Sequence, residues 1–168
     1  GGAVRFLMTD ANYGPLETFP ITIQSYSGAS ASNTFTLRPA SGNVVTLTGS
    51  STQALIVLSG SDYVALDGSN LVGGSSRDWT LDNQGAGSNA VIWIGSNGSN
   101  GATNNTVRNL RVRGSGAGTL VGVGIGGPTV SLTSNGNNNA ANRIENVRAE
   151  RAQVGLYTSG SPAGGKAT

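Results

Sequence analysis

Carboxylates are the side chains of this sequence best suited to acid and base catalysis, because it contains no cysteine and no histidine. Their absence excludes thiol catalysis, disulfides, Cys/His zinc sites and the Ser-His-Asp relay. A glycosidase needs two carboxylates about 5–10 Å apart, facing each other. Asp67, Asp78 and Asp82 are the only carboxylates clustered in sequence, and all three have structural interpretations: Asp67 precedes a glycine in a turn, and the others belong to the repeat described below. We predict no catalytic residues.

Metal and cofactor chemistry is also not expected. Calcium takes six to eight oxygen ligands, usually from several converging carboxylates, and the acids of this chain are dispersed. A polysaccharide lyase would in addition need a basic residue to abstract a proton, and the single lysine, Lys166, lies in a Gly-rich tail. The sequence therefore predicts neither a cofactor nor a metal site.

Four residues could bind a glycan or an anion. Trp93 alternates with Ile92 and Ile94 and is expected to point outward, where it and Tyr157 could stack on a sugar ring. Arg111 and Arg148 are expected to lie side by side, so that a sulfate, uronate or phosphate could bridge them. The structural alternatives are that the segment Ser96 to Asn105 covers Trp93, and that Glu145 and Glu150 relieve the arginine repulsion. We favour these alternatives.

Composition limits the fold and the partners. The chain has 27 glycines and only 11% charged residues, against roughly 25% in an ordinary domain. Its net charge of +2 comes without a basic run, so a nucleic-acid partner is not expected. No stretch approaches the roughly 20 apolar residues of a membrane helix, so membrane insertion is not expected. Short apolar runs between Gly, Ser and Asn clusters favour strands with tight turns.

These short strands belong to an internal repeat. The segment 106–113 aligns residue by residue with 143–150, and earlier copies begin at Trp79 and Val45. Every third strand also matches, with starts near Ile21, Leu55, Val91, Val121 and Val154, which gives a unit of about 30 to 36 residues with three strands. A repeat of this length is typical of solenoids. We predict an all-β fold, a parallel β-helix of about four to five rungs, with residues 1–168 as a single module.

The alignment predicts which side chains stack in columns. Two inward columns are Val45, Trp79, Leu110, Val147 and Leu47, Leu81, Val112, Ala149. At the corner between the second and third strands of the unit, counted from Ile21, the alignment predicts an asparagine ladder. One outward column alternates in charge. The predicted ladder residues are Asp78, Asn109 and Asn146 at the corner, and Asp82, Arg113 and Glu150 in the charged column.

The chain resembles the right-handed β-helix repeat modules of very large secreted bacterial surface proteins. The resemblance is carried by segments 6–11, 17–23, 34–40 and 62–70 and extends over nearly all of the sequence. It implies a right-handed helix, secretion to the cell surface or the extracellular space, and a structural role as a rigid spacer, an assembly unit or an adhesive surface. It brings no catalytic residues with it.

The ends of the repeat suggest the partners. A solenoid exposes unpaired strands and a core cross-section at its first and last rungs unless a cap covers them. Neither Gly1 to Asp10 nor Gly160 to Thr168 has the period of a capping helix, so we expect stacking on another copy or on neighbouring β-helix modules. The functional alternatives are a carbohydrate-binding module, with surface glycans as partners, and a polysaccharide lyase or hydrolase.

Overall fold

The computed structural model describes residues 2–161, which form an all-β fold; Lys166 and the segment 162–168 lie outside this range. All strands except β14 contain a β-branched or aromatic residue, which favours the extended conformation, and glycine or asparagine ends or directly follows most strands. The strands are β1 Val4–Met8, β2 Asn12–Tyr13, β3 Ile21–Gln24, β4 Phe35–Pro39, β5 Val45–Gly49, β6 Ile56–Ser59, β7 Val64–Asp67, β8 Trp79–Asn83, β9 Asn89–Gly95, β10 Thr106–Arg108, β11 Leu110–Arg113, β12 Thr119–Gly126, β13 Arg143–Glu145, β14 Arg148–Glu150 and β15 Val154–Thr158.

The strands form three parallel sheets of five strands each. The order is β1-β4-β7-β10-β13 in the first sheet, β2-β5-β8-β11-β14 in the second and β3-β6-β9-β12-β15 in the third. Each strand therefore pairs with its equivalent three strands later, and the chain winds through five turns of a β-solenoid. This confirms the all-β class, the parallel β-helix and its three strands per turn. No helix among residues 2–161 is long and apolar enough to cross a membrane.

The predicted inward columns form the core. In the second sheet Val45 pairs with Trp79, and Trp79 with Leu110, and all three are fully buried. The neighbouring column of Leu47, Leu81 and Val112 is buried as well. Alternation within each strand thus places one face of every sheet in a single apolar interior, because residues two apart point to the same side.

Both columns become accessible in the last turn. Val147 is only half-buried and Ala149 is exposed, although each continues an inward column. Leu156 is 54% exposed at the same end, and Phe6 is 51% exposed at the opposite end. The outer edges of β1 to β3 and of β13 to β15 pair with no other strand in the described part of the chain. Each end of the solenoid therefore presents apolar side chains framed by unpaired backbone groups.

The length of a turn varies more than the predicted 30 to 36 residues. Phe35 pairs with Val64, only 29 residues later, whereas Ala65 pairs with Thr106, 41 residues later. The additional residues lie in loops between strands, chiefly 68–78, 96–105 and 127–142. The strands stay in register because a slip of one residue would turn apolar side chains out of the core.

Candidate functional site

The corner between the first and second sheets contains a ladder of side-chain amides. Asn146 Nδ2 donates to Asn109 Oδ1 at 2.7 Å, and Asn109 Nδ2 donates to Asp67 Oδ1 at 2.8 Å. Both asparagines have positive φ, 57° at Asn109 and 50° at Asn146, a conformation that asparagine tolerates better than most residues. The corner thus uses asparagine both for its backbone and for its amide.

Asp67, and not Asp78, accepts the hydrogen bond from Asn109, although Asp78 precedes Trp79 as Asn109 precedes its paired residue Leu110. The reason is the loop 68–78, which leaves the corner after Gly68 and returns at Asp78. Gly68 is required there, because a Cβ at this position would lie 1.9 Å from the Asn109 carbonyl oxygen. Asp78 instead closes its own loop, where its carboxylate accepts from the Asn70 backbone N–H at 3.0 Å and from the Ser76 hydroxyl.

The loop 68–78 runs along the corner across two further turns. The Gly74 carbonyl accepts from Asn109 Nδ2 at 3.1 Å, and the Ser75 carbonyl accepts from Asn146 Nδ2 at 2.7 Å. Arg77 Nε donates to the Asn146 carbonyl at 2.9 Å. Both amides of the ladder are therefore bonded to an adjacent turn and to this loop.

A second asparagine ladder lies at the corner between the third and first sheets. Asn105 Nδ2 donates to Asn142 Oδ1 at 3.0 Å and to the Ser61 carbonyl at 2.8 Å, and Asn105 Oδ1 accepts from the Val64 N–H at 2.9 Å. The sequence analysis missed it. Extending the alignment of 106–113 with 143–150 by one residue toward the N-terminus places Asn105 opposite Asn142, so the signal was present.

The charged column of the second sheet is aligned as expected, and Glu150 contacts Arg148, as expected, in place of Arg113. Asp82 pairs with Arg113 along the sheet, and Arg113 with Glu150. Arg113 Nη1 lies 3.8 Å from Asp82 Oδ2, whereas Glu150 forms its short contact, 2.5 Å, with Nε of Arg148 on its own strand. Glu150 thus offsets the charge of Arg148 and leaves Arg113 to Asp82.

A stronger ion-pair column lies on the outer face of the first sheet and was not predicted. Asp67, Arg108 and Glu145 are consecutive residues of this column. Arg108 Nη2 lies 2.9 Å from Asp67 Oδ2, and Arg143 Nη2 lies 2.5 Å from Glu145 Oε2. The Asp67 side chain is only 3% exposed, so this pair is shielded from solvent, unlike those of the second sheet.

Arg111 and Arg148 lie side by side in adjacent strands, as the alignment predicts. Both are exposed, and Arg148 is paired with Glu150. Arg111 forms no hydrogen bond or ion pair with residues 2–161, and its other neighbour in the column is Thr80. Glu145, the second acid expected to relieve the repulsion, contacts Arg108 and Arg143 instead.

Trp93 points away from the main core and is nevertheless buried, with 1% of its surface exposed. It pairs with Gly124 in the next strand, and Gly124 pairs with Tyr157 in the one after. The two rings lie 6.4 Å apart with 14° between their planes, on either side of the glycine. A Cβ at Gly124 would lie 2.1 Å from the indole, so the strand can pass Trp93 only with glycine there.

The segment that covers Trp93 is not the one expected. Trp93 Nε1 donates to the Gly127 carbonyl at 2.9 Å, Tyr157 Oη donates to the Leu132 carbonyl at 2.5 Å, and Val130 packs against the same small cluster. The cover is therefore the loop 127–142, whereas the expectation was Ser96 to Asn105. Local sequence does not indicate over which face of the solenoid a long loop folds. The path of the loop determines whether Trp93 and Tyr157 are accessible to a sugar.

The carboxylates are occupied by structural contacts. Seven of the eight have a hydrogen bond or an ion pair, the exception being Asp10. Asp62, for example, accepts from the N–H and the hydroxyl of Thr103 at 2.8 and 2.5 Å. Glu17 accepts from the Gly14 N–H at 2.5 Å. Among residues 2–161 there is no group of three or more acidic, His or Cys side chains that could hold a metal ion. Hydrogen bonds and ion pairs within the fold thus occupy all of the carboxylates except that of Asp10.

Comparison with known proteins identifies no relative. No family model, no curated protein and no solved structure matches the chain.

Proposed function

We propose that the chain is a structural module of a secreted bacterial cell-surface or extracellular fibre protein. It acts as a rigid spacer or assembly unit, and its ends pair with further β-solenoid turns. The observation that carries this proposal is the pair of open ends: within residues 2–161, five turns in register end in strands with unpaired edges and accessible core residues. Secretion and the bacterial surface come from the resemblance of the repeat and belong to the proposal.

The two ends are complementary in their inward columns. Continuing the register of the third sheet places Leu156 over Ile21 of the next unit, and that of the second sheet places Ala149 over Tyr13. In the first sheet Ile144 would lie over Phe6. Apolar side chains would therefore meet apolar side chains in all three sheets, and the small Ala149 faces the large Tyr13.

The outward column of the first sheet affects the choice between a second copy and a different module. Continuing its register places Arg143 beside Arg5, and like charges at paired positions destabilise a sheet. Glu145, which already contacts Arg143, lies close enough to offset part of this repulsion. A neighbouring module with an acidic or neutral residue at this position would pair more tightly than a second copy.

Association of the purified chain tests the proposal. We expect sedimentation velocity to show oligomers that grow with concentration, and electron microscopy to show linear particles with an axial spacing of about 4.8 Å per turn. Leu156→Lys places a charge in the end of the core and should suppress association. Val44→Lys is the matched control, because Val44 is 64% exposed and lies between β4 and β5 of the second turn, away from both open ends.

Two results would contradict the proposal. One is a chain that remains monomeric at millimolar concentration, where even the weaker contact between two copies is expected to form. The other is an association that Val44→Lys suppresses as strongly as Leu156→Lys, since the contact would then lie away from the open ends.

A carbohydrate-binding function is not proposed as a second candidate. The aromatic platform it requires is closed, because Trp93 is buried and Tyr157 is held against it by the loop 127–142. The arginine pair also lacks the free charge it would need on both members, since Arg148 is bound to Glu150. A polysaccharide-cleaving activity has no support from the contacts of the carboxylates.

A further inference from the structure

A cavity of about 310 Å³ lies on the outer face of the first sheet, between its first two turns and the loop 68–78. Two arginines line it, Arg5 from β1 and Arg38 from β4, together with Ser41. Its rim is apolar and accessible: Leu7 is 52% exposed, Leu71 58% and Val72 74%. Its volume is at the lower end of the range of ligand pockets. The cavity thus combines a cationic lining with an apolar rim.

Arg38 is the most unusual residue of this cavity. Only 3% of its surface is exposed, although it points outward from the sheet, because the loop 68–78 covers it. Its Nη2 donates to the Ser69 carbonyl at 2.5 Å, and its Nε, shielded from water, has no hydrogen-bond partner. A buried guanidinium remains charged, so its burial is costly unless an anion or several acceptors compensate it.

The nearest candidate to compensate Arg38 is already engaged. Asp67 follows the paired position Leu66 in the neighbouring strand, but its carboxylate contacts Arg108 at 2.9 Å and Asn109 at 2.8 Å. Neither Arg38 nor Arg5 forms an ion pair with any residue in 2–161. Farther along the same sheet every arginine has an acid, since Arg108 and Arg143 contact Asp67 and Glu145. Among the described residues of the first sheet, arginines without an acidic partner therefore lie only in the first two turns.

We propose that this cavity binds the carboxylate group of a small amphiphilic anion. The carboxylate is the negatively charged partner that Arg5 and Arg38 do not find among residues 2–161, and Ser41 is a neutral hydrogen-bond donor beside it. The apolar part of the ligand lies against Leu7, Leu71 and Val72 and covers surface that is now exposed to water. The cavity opens on the outer face of the first sheet, whereas the open ends expose the core, but Arg5 and Leu7 belong to β1 and adjoin one of these ends.

Isothermal titration calorimetry of the whole chain with three probes tests the two requirements separately. Hexanoate has both the charge and the apolar tail, acetate has the charge alone, and 1-hexanol has the tail alone. We expect hexanoate to bind at least tenfold more tightly than either of the others. Acetate lacks the tail, of which each buried methylene tightens binding by up to about fourfold, and 1-hexanol lacks the charge. Equal affinity for hexanoate and hexanol would overturn the proposal, as would the absence of saturable hexanoate binding.

Matched variants locate the site. Arg5→Gln should weaken hexanoate binding at least fivefold, and Arg5 is exposed, so the fold does not depend on it. Arg111→Gln removes another exposed, unpaired arginine, on a different sheet, and should leave the affinity unchanged. Val72→Ser should weaken hexanoate but not acetate. An equal effect of Arg5→Gln and Arg111→Gln would show a general charge effect and overturn the proposal.

Chemical-shift mapping separates this cavity from the apolar ends of the solenoid, which could also take up hexanoate. We expect the amide signals of Arg5, Ser41 and Val72 to move with the same saturation curve. Shifts confined to Ile144, Val147 and Leu156 would place the probe at the open end and overturn the proposal, without affecting the association experiment.

Discussion

Asn109 illustrates how much one residue contributes to a corner of the solenoid. It adopts a positive φ, and its amide donates to Asp67 and to the Gly74 carbonyl and accepts from Asn146. We expect Asn109→Ala to lower the free energy of unfolding by about 3 kcal/mol, as the sum of the conformational cost and the lost hydrogen bonds. Urea denaturation would measure this.

Asn104 provides the control for Asn109. Its φ is 55°, but its amide donates only to the adjacent Thr103 hydroxyl, in an exposed position. Asn104→Ala should therefore cost only about 1 kcal/mol. Equal losses in the two variants would mean that the ladder adds nothing to the backbone effect.

The two tryptophans should respond differently to the same substitution. Both are buried, but Trp93 Nε1 donates to the Gly127 carbonyl, whereas Trp79 Nε1 lies in the core without a partner. We expect Trp93→Phe to destabilise the fold by about 1 kcal/mol more than Trp79→Phe, since only the former leaves an acceptor unpaired. Limited proteolysis should in addition cleave the loop 127–142 faster in Trp93→Phe alone. Similar proteolysis of both variants would contradict this role for Trp93.

Tyr26 gives the fold a dependence on alkaline pH. Its hydroxyl donates to the Asn33 carbonyl at 2.9 Å, and burial, reinforced by Asp62, raises the pKa of the phenol above its usual value of 10.0. The stabilisation is complete below the pKa of the unfolded chain and is lost as the pH rises through the higher pKa of the folded state. We expect Tyr26→Phe to remove this part of the alkaline loss in thermal unfolding between pH 9 and 12. An unchanged pH profile would contradict it.

At the scale of the strands, the outer column of the first sheet should contribute more than that of the second. Arg108→Gln removes the ion-pair partner of the buried Asp67 carboxylate, and we expect a loss of about 2 kcal/mol. Arg113→Gln breaks a longer and more exposed pair with Asp82, 3.8 Å apart, and should cost less than about 1 kcal/mol. Denaturation at low and high salt would compare them, and equal losses would contradict this ranking.

The sequence was sufficient to predict the strands and their alignment because their side chains repeat. Trp79 and Leu110 occupy equivalent positions in successive turns, and a shift of the strand pairing by one residue would move both side chains from the core to the surface. The roles of Asp67 and Trp93 could not be derived in this way. Each depends on a long loop, 68–78 or 127–142, whose path is set by contacts with distant turns and not by the periodicity of the strands.

For the whole molecule, the open ends predict a gradient of stability. The residues of β8 and β9 are mostly buried, whereas those of β13 to β15 are mostly exposed or half-buried. Since the strands of each turn pair only with those of adjacent turns, an outer turn that no loop ties to the inner ones should open first. Native-state hydrogen exchange should show protection highest in the third turn and lowest in the first, with the fifth in between because the loop 68–78 bonds it to the third. Uniform protection would indicate that the five turns unfold as one unit.

The loop 68–78 has a mechanical consequence. Arg77, in the loop of the third turn, donates a hydrogen bond to the Asn146 carbonyl in the fifth turn. The loop thus links these two turns directly across the fourth. Tension applied along the long axis, as on a stalk under shear flow, would act on this link at the same time as on the backbone hydrogen bonds of the three sheets. We therefore expect the last three turns to unfold together under tension. The first two turns are not joined by these bonds to Asn146 and should unfold at lower force.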